Sequence, residues 1–207
     1  IAAELQRVLP DETTLLYRAL IVQSAQWPEW AEGVLTQIRT PPDGQTRAQR
    51  QQLLDQASNI MRSIGFGIPD LTRATMNTDH RTTYTTRSET PIHALECHIY
   101  QVPIPVELRG PADEFDIRID ATLSYVAQPR RTRRNLRRYL STWVDWISSK
   151  LGEGLNSFHD RAIKGEEAEG DALHGSVLPW TLHETETWGS VRGTRRNSGT
   201  VQKDWAI

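Results

Sequence analysis

The chain has 207 residues, 37% of them hydrophobic, and a formal net charge of −2 at pH 7. This balance excludes a strongly basic protein that binds nucleic acid or anionic membranes through its overall field. A single cysteine excludes an internal disulfide, and no apolar run reaches the roughly 18 residues of a membrane span, so we expect a soluble, cytoplasmic protein without a membrane partner.

The opening segment predicts the end of a helix. Ile1, Leu5, Val8 and Leu9 lie at positions i, i+4, i+7 and i+8, which is the apolar stripe of a helix, and Pro10 closes it. No capping residue precedes the stripe. We therefore expect the helix to begin upstream of Ile1, and we interpret the chain as a fragment.

Apolar residues at helical spacing predict three further helices, over residues 11–25, 28–39 and 53–64. Asp11 is placed to cap the first of these, which is apolar on nearly every side and is expected to be buried. Pro28 stands in the first turn of the second, where proline is tolerated. Gly65 is expected to end the third in the left-handed conformation.

Beyond these helices, the spacing of apolar residues changes from the helical period to the two-residue alternation of strands. Strands are predicted by β-branched and aromatic residues over residues 82–87, 96–105, 115–128 and 139–148, and one or two more are expected from segments 182–193 and 198–207. In the segment FDIRIDATL, which starts at Phe115, apolar residues alternate with Asp116, Arg118 and Asp120, as in a sheet with one packed face. A short helix is predicted over 151–163, and a solvated or disordered acidic loop follows over 164–172.

These signals predict two units, as the length of the chain also does. Helix signals stop and strand signals begin near residues 75–82, so we place a helical domain at 1–79 and a β-sandwich-like domain at 80–207. The predicted fold class is α+β. No repeat of fixed period is present.

The segment GFGIPDLTRAT carries the clearest motif of the helical domain, with Gly65, Gly67, Pro69, Asp70 and Ala74. Together with IAAELQRVLP and PDETTLLYRALIVQSAQWP before it, this segment resembles the C-terminal end of the catalytic domain of subtilisin-like serine proteases. In that family a G-T-S-x-A motif carries the serine at the start of a long helix, and a glycine-rich G-x-G-x-P-D turn follows later.

The resemblance implies that the helices are the C-terminal end of a subtilase α/β domain, and that the Ser-His-Asp triad belongs to a longer parent protein. No catalytic residue is then expected in this chain. Its role would be that of a scaffold and accessory region of an endopeptidase whose substrate is a peptide or protein.

The strand segments HIYQVPIPVELRG, RIDATLSYVAQP and SGTVQKDW are similar to the β-rich extension of a bacterial subset of this family. That resemblance implies an antiparallel, jelly-roll-like β-sandwich after the helices. Some members of the subset are encoded beside an ATPase, so a companion ATPase is a possible partner.

Two local patterns could suggest chemistry within the chain itself. His174, Gly175, Ser176 and Val177 resemble the subtilase histidine motif, but Leu-Pro-Trp follows, and a subtilase histidine precedes its serine; we interpret the segment as a loop. The adjacent Cys97 and His98 would point to opposite faces of a strand, so a buried structural cysteine is favoured over a thiol–base pair.

An arginine-rich segment is the densest charge feature, with six arginines within nine positions: Arg130, Arg131, Arg133, Arg134, Arg137 and Arg138. It is interpreted as a solvated loop, with a protein partner such as the ATPase and, less favoured, nucleic acid as alternatives. The alternative function is therefore a non-catalytic β-sandwich interaction module. Histidines and cysteine show no metal-binding spacing, Gly65 and Gly67 lack the Lys-Ser/Thr of a phosphate loop, and no metal or cofactor is predicted.

Overall fold

The computed structural model describes residues 1–39, 42–86, 91–93, 96–103, 117–126, 144, 146–149, 153–167 and 201–206. It contains both helices and strands, as predicted for the α+β class. The elements are α1 (Ala2–Val8), α2 (Thr14–Ser24), α3 (Glu29–Arg39), α4 (Arg47–Ile64), α5 (Leu71–Thr75), β1 (Ile119–Ser124), α6 (Leu155–Glu167) and β2 (Val201–Ala206). Strands β1 and β2 pair in a two-stranded sheet.

Side-chain caps decide where helices α2 and α4 begin. The predicted cap Asp11 is wrong, because the Thr13 side chain accepts a hydrogen bond from the Leu16 backbone N–H and starts α2 at Thr14. Helix α4 begins with a capping box, in which Thr46 and Gln49 each bind the backbone N–H of the other. A cap of this kind stabilises a helix by about 1 kcal/mol.

Gly65 ends α4 as predicted, but in a different conformation. Its φ is 58° and its ψ is −131°, so the backbone is not left-handed helical. The chain consequently turns away from the helix axis at Gly65 instead of making a further helical turn.

The buried apolar side chains form two clusters. In the larger one, α3 packs against α4 around Trp27, Ala31, Leu35, Ile38, Leu54, Ala57 and Ile60. In the smaller one, Leu5 of α1, Leu20 of α2 and Ala74 of α5 meet, so these three helices pack together. The apolar stripes predicted for α1 and α4 thus face these two clusters, as amphipathic helices do.

Several strand predictions are wrong where the structure can be compared with them. Residues 82–86, 96–103 and 146–148 follow an irregular course. Within 96–100, however, burial alternates between exposed Glu96, His98 and Tyr100 and half-buried Cys97 and Ile99. The alternating sequence pattern therefore predicted which of these side chains are exposed, but these residues do not form a strand. The predicted acidic loop is also partly wrong, since α6 continues to Glu167.

Contacts divide the chain into two compact units. The first comprises Ile1–Ser88, Asp120–Val144 and Trp180–Trp205; the second comprises Glu89–Ile119, Asp145–Pro179 and Ala206–Ile207. Strands β1 and β2 belong to the first unit except for their end residues Ile119 and Ala206, and α6 belongs to the second. Among the helices described, none is long and apolar enough to cross a membrane.

Candidate functional site

The motif residues Gly65 and Gly67 form a tight turn between α4 and α5. Both have positive φ angles, 58° and 98° respectively, which side chains other than glycine rarely adopt. The backbone N–H of Gly67 donates to the Ile64 carbonyl at 3.1 Å, so the turn is closed on the last turn of α4. The two glycines thus have a role in backbone geometry.

The turn pairs with the segment that follows α2. Gln26 and Ile68 exchange two backbone hydrogen bonds, of 3.0 Å and 2.8 Å, and form a short antiparallel bridge. A Cβ atom at Gly67 would lie 2.1 Å from the Gln26 carbonyl oxygen, a distance that atoms not bonded to each other cannot adopt. Only glycine therefore allows the two backbones to approach this closely.

Trp27 also stabilises this turn, through a side-chain hydrogen bond. Its indole Nε1–H donates to the Gly65 carbonyl oxygen at 2.8 Å, and its side chain is buried in the larger cluster. One side chain thereby satisfies a carbonyl at the end of α4 and packs against α3 and α4. Trp27 was not singled out from the sequence, which carries no local signal for this hydrogen bond.

Pro69 and Asp70 lead the turn into α5. Both are exposed, and the Asp70 carboxylate accepts a hydrogen bond from the Arg73 backbone N–H at 2.6 Å, which caps the helix. The short helix then carries Ala74 into the smaller cluster. The four motif residues therefore lie in one turn, which connects α4 to α5 and pairs with Gln26 just beyond the end of α2.

Lys203 of β2 lies at the C-terminal end of α2 and was not singled out from the sequence. Its Nζ is 3.2, 3.0 and 2.6 Å from the carbonyl oxygens of Val22, Gln23 and Ala25. The residue is only 4% exposed, so an ammonium group is buried against the end of a helix. Buried Ser24 lies beside it, and its hydroxyl donates to the Ile21 carbonyl oxygen.

Strand β1 and the residues next to it contact the same helix through polar side chains. Arg18 of α2 donates to the Ser124 hydroxyl and to the Tyr125 carbonyl, each at 2.8 Å. The Gln23 side chain donates to the Asp120 carbonyl at 3.2 Å and accepts a hydrogen bond from the Thr122 hydroxyl. The β1–β2 pair is therefore attached to α2 by hydrogen bonds from both strands.

In the second unit, Arg161 of α6 is held by several partners. Its guanidinium donates to both carboxylate oxygens of Glu153, at 2.9 and 2.8 Å, and to the Ser148 carbonyl, and it lies 5.3 Å from the Phe158 ring centroid. Hydrogen bonding to Glu153 raises the pKa of Arg161 above its ordinary value. The pair is a charge-assisted clamp between α6 and the residues before it.

Cys97 and His98 are neighbours in the chain that differ in exposure. Cys97 is half-buried, and not buried as predicted. The exposed rings of His98 and Tyr100 meet edge to face, with 3.4 Å between His98 Nδ1 and the Tyr100 hydroxyl. His98 thus has the phenol of Tyr100 as a neighbour, two residues along the same face.

The arginine-rich segment 130–138 lies outside the residues that the structure describes, and so do His174 and Ser176. Their proposed roles stay predictions. In the described part of the chain, no group of three or more His, Cys, Asp or Glu residues is arranged to hold a metal ion. Comparison of the chain with protein-family models, with curated proteins and with solved structures finds no match.

Proposed function

We propose that this chain is the C-terminal scaffold and accessory region of a subtilisin-like serine endopeptidase. The parent protein hydrolyses peptide bonds by the acyl-enzyme route, with a Ser-His-Asp triad that lies outside these residues. The chain itself supplies packing around the helix that carries the serine.

The pairing of the glycine turn with the end of α2 carries this proposal. The resemblance rests on the order of a helix end, a second helix and a G-x-G-x-P-D turn, and here the turn binds the residues that follow the second helix through the Gln26–Ile68 bridge. The motif glycines occupy positions where any side chain is strained. Two residues of the motif are thus required by backbone geometry, which supports the resemblance better than sequence similarity alone.

The packing of α1 gives the scaffold role a physical basis. Leu5 of α1 is fully buried against Leu20 and Ala74, and the Tyr17 hydroxyl of α2 donates to the Leu9 carbonyl at the end of α1. If α1 is the end of the serine-bearing helix, then α2 and α5 set the position of that helix. A small displacement of a nucleophile is costly for catalysis.

The β-rich residues are proposed to form the sandwich-like accessory part, with β1 and β2 as two of its strands. A peptide or protein is the proposed substrate of the parent enzyme, and a companion ATPase is its proposed partner. The similarity of the segments around β1 and β2 to the bacterial β-rich extension supports this assignment.

Active-site labelling tests the proposal. A fluorophosphonate probe is added to the full-length parent protein and, in parallel, to the 207-residue chain alone, and peptide mass spectrometry locates the label. We expect the parent to be labelled at a serine upstream of Ile1 and the 207-residue chain to remain unlabelled. No labelling of the folded parent would overturn the hydrolase proposal, and a label at Ser176 or at another serine of this chain would overturn the scaffold assignment.

A further inference from the structure

Helix α2 ends without a cation of its own. Its last turn contains no basic residue, and its cap residue Ala25 is extended, with φ −68° and ψ 138°, so the chain leaves the helix at once. The last carbonyl groups of a helix have no partner within the helix and carry a partial negative charge. The end of α2 therefore requires donors from elsewhere in the chain.

Four carbonyl groups at the end of α2, those of Ile21, Val22, Gln23 and Ala25, have identified hydrogen-bond donors. The Ile21 carbonyl accepts from the Ser24 hydroxyl, and the Val22 carbonyl accepts from the Ala25 backbone N–H at 3.1 Å. Lys203 Nζ then lies within hydrogen-bonding distance of the Val22, Gln23 and Ala25 carbonyl oxygens. Three carbonyl oxygens thus converge on one point, and a positive charge occupies that point.

The arrangement of these carbonyl oxygens favours the binding of a primary ammonium group. A primary ammonium has three N–H donors and no acceptor, which matches three converging carbonyl oxygens. The helix dipole adds favourable interaction with a positive charge at this end. Burial of a charge is costly unless hydrogen bonds replace its water shell, and here carbonyl oxygens replace it.

We propose that the C-terminal end of α2 is a cation-binding site built from backbone carbonyl oxygens, which takes primary alkylammonium ions. In this chain the Lys203 side chain is its intramolecular occupant. Strand β2 is thereby fastened to a helix that lies 178 to 181 residues earlier in sequence. A free ion of the same shape binds at the site when the lysine side chain is removed.

Chemical rescue tests this proposal on the 207-residue chain. Lys203→Ala removes the atoms from Cγ to Nζ, which are the atoms of n-propylammonium. We expect Lys203→Ala to have a lower urea midpoint than the unaltered chain, and we expect n-propylammonium chloride to restore most of the loss with a saturable concentration dependence. The unaltered chain, whose site is occupied, should not respond in this way.

Two controls separate the site from general salt effects. Tetramethylammonium chloride at the same concentration carries the charge without an N–H donor and should not rescue Lys203→Ala. Lys203→Met keeps an apolar side chain of similar length, so it should be destabilised and insensitive to n-propylammonium. If Lys203→Ala is unfolded without amine, rescue is measured as recovery of far-ultraviolet circular dichroism on addition of n-propylammonium.

The proposal is overturned if n-propylammonium and tetramethylammonium act equally on Lys203→Ala. It is also overturned if the variant and the unaltered chain respond alike to the amine, or if Lys203→Met is as stable as the unaltered chain.

Discussion

Gly67 lies against Gln26 so closely that an added Cβ atom would be 2.1 Å from the Gln26 carbonyl oxygen and 2.7 Å from the Trp27 nitrogen. Backbone atoms occupy this space, and they cannot move aside as the end of a flexible side chain can. The contact lies in the centre of the glycine turn, between the residues that follow α2 and those that follow α4. The integrity of the turn therefore depends on the absence of one side chain.

Replacement of Gly67 by alanine should destabilise the chain strongly. We expect Gly67→Ala to lower the free energy of unfolding by about 3 kcal/mol or more, because it adds a backbone clash to the strain of a positive φ. Gly44→Ala is the matched control, since Gly44 has a φ of 78° with nothing within 4 Å, and should cost only about 1–2 kcal/mol. Urea denaturation followed by circular dichroism measures both; equal losses would contradict the role of the close approach.

Trp27 should contribute through its indole N–H as well as its buried ring. Trp27→Phe removes the hydrogen bond to Gly65, and we expect a loss of about 1–3 kcal/mol because the carbonyl group of half-buried Gly65 loses its donor. Trp30→Phe, at a position that is 64% exposed, should change stability by less than about 0.5 kcal/mol. The two variants are compared by urea denaturation, and a loss for Trp30→Phe as large as that for Trp27→Phe would argue against the hydrogen bond.

The Glu153–Arg161 clamp should protect α6 from local opening. Glu153→Gln removes a charge-assisted hydrogen-bonded pair with side chains only 8% and 18% exposed. A loss of about 1.5–3 kcal/mol should speed amide hydrogen exchange within α6 about tenfold or more. Asp160→Asn, on the same helix with a side chain that is 71% exposed, is the control and should leave these rates nearly unchanged. Unaltered exchange in Glu153→Gln would contradict the clamp.

Glu4 should titrate at an unusually low pH. The hydrogen bond from Arg7 lowers the pKa of the Glu4 carboxyl below its ordinary value, and the charge of Arg7 acts in the same direction. A group with a lowered folded-state pKa stabilises the fold above its unfolded pKa, and that contribution is lost as the pH falls through the folded pKa. An NMR titration should show the low midpoint, and Arg7→Gln should raise it; an unchanged midpoint in Arg7→Gln would exclude Arg7 as the cause.

Particular residues show how far the sequence could predict the fold. The spacing of apolar residues indicated α1, α3 and α4 because a helix buries one face at a fixed period, and Gly65 marked a helix end because few other residues adopt a positive φ. Asp11 was chosen wrongly over Thr13 as a cap, since both residue types can cap a helix and only the path of the backbone selects one. Residues 96–100 alternate in burial as a strand would, but alternation does not determine whether a neighbouring strand is there to pair with.

The sequence by itself determined the mixed helix and strand composition, the apolar faces of the helices and the end of α4 at Gly65. These properties depend on a few neighbouring residues and on the conformational range of each residue type. Only the tertiary structure decided that Gln26 pairs with Ile68, that Trp27 binds Gly65 and that Lys203 binds the end of α2. Such contacts join residues far apart in the chain, and a lysine in a strand has the same local sequence signal whether its ammonium lies in water or against the carbonyl groups of a helix.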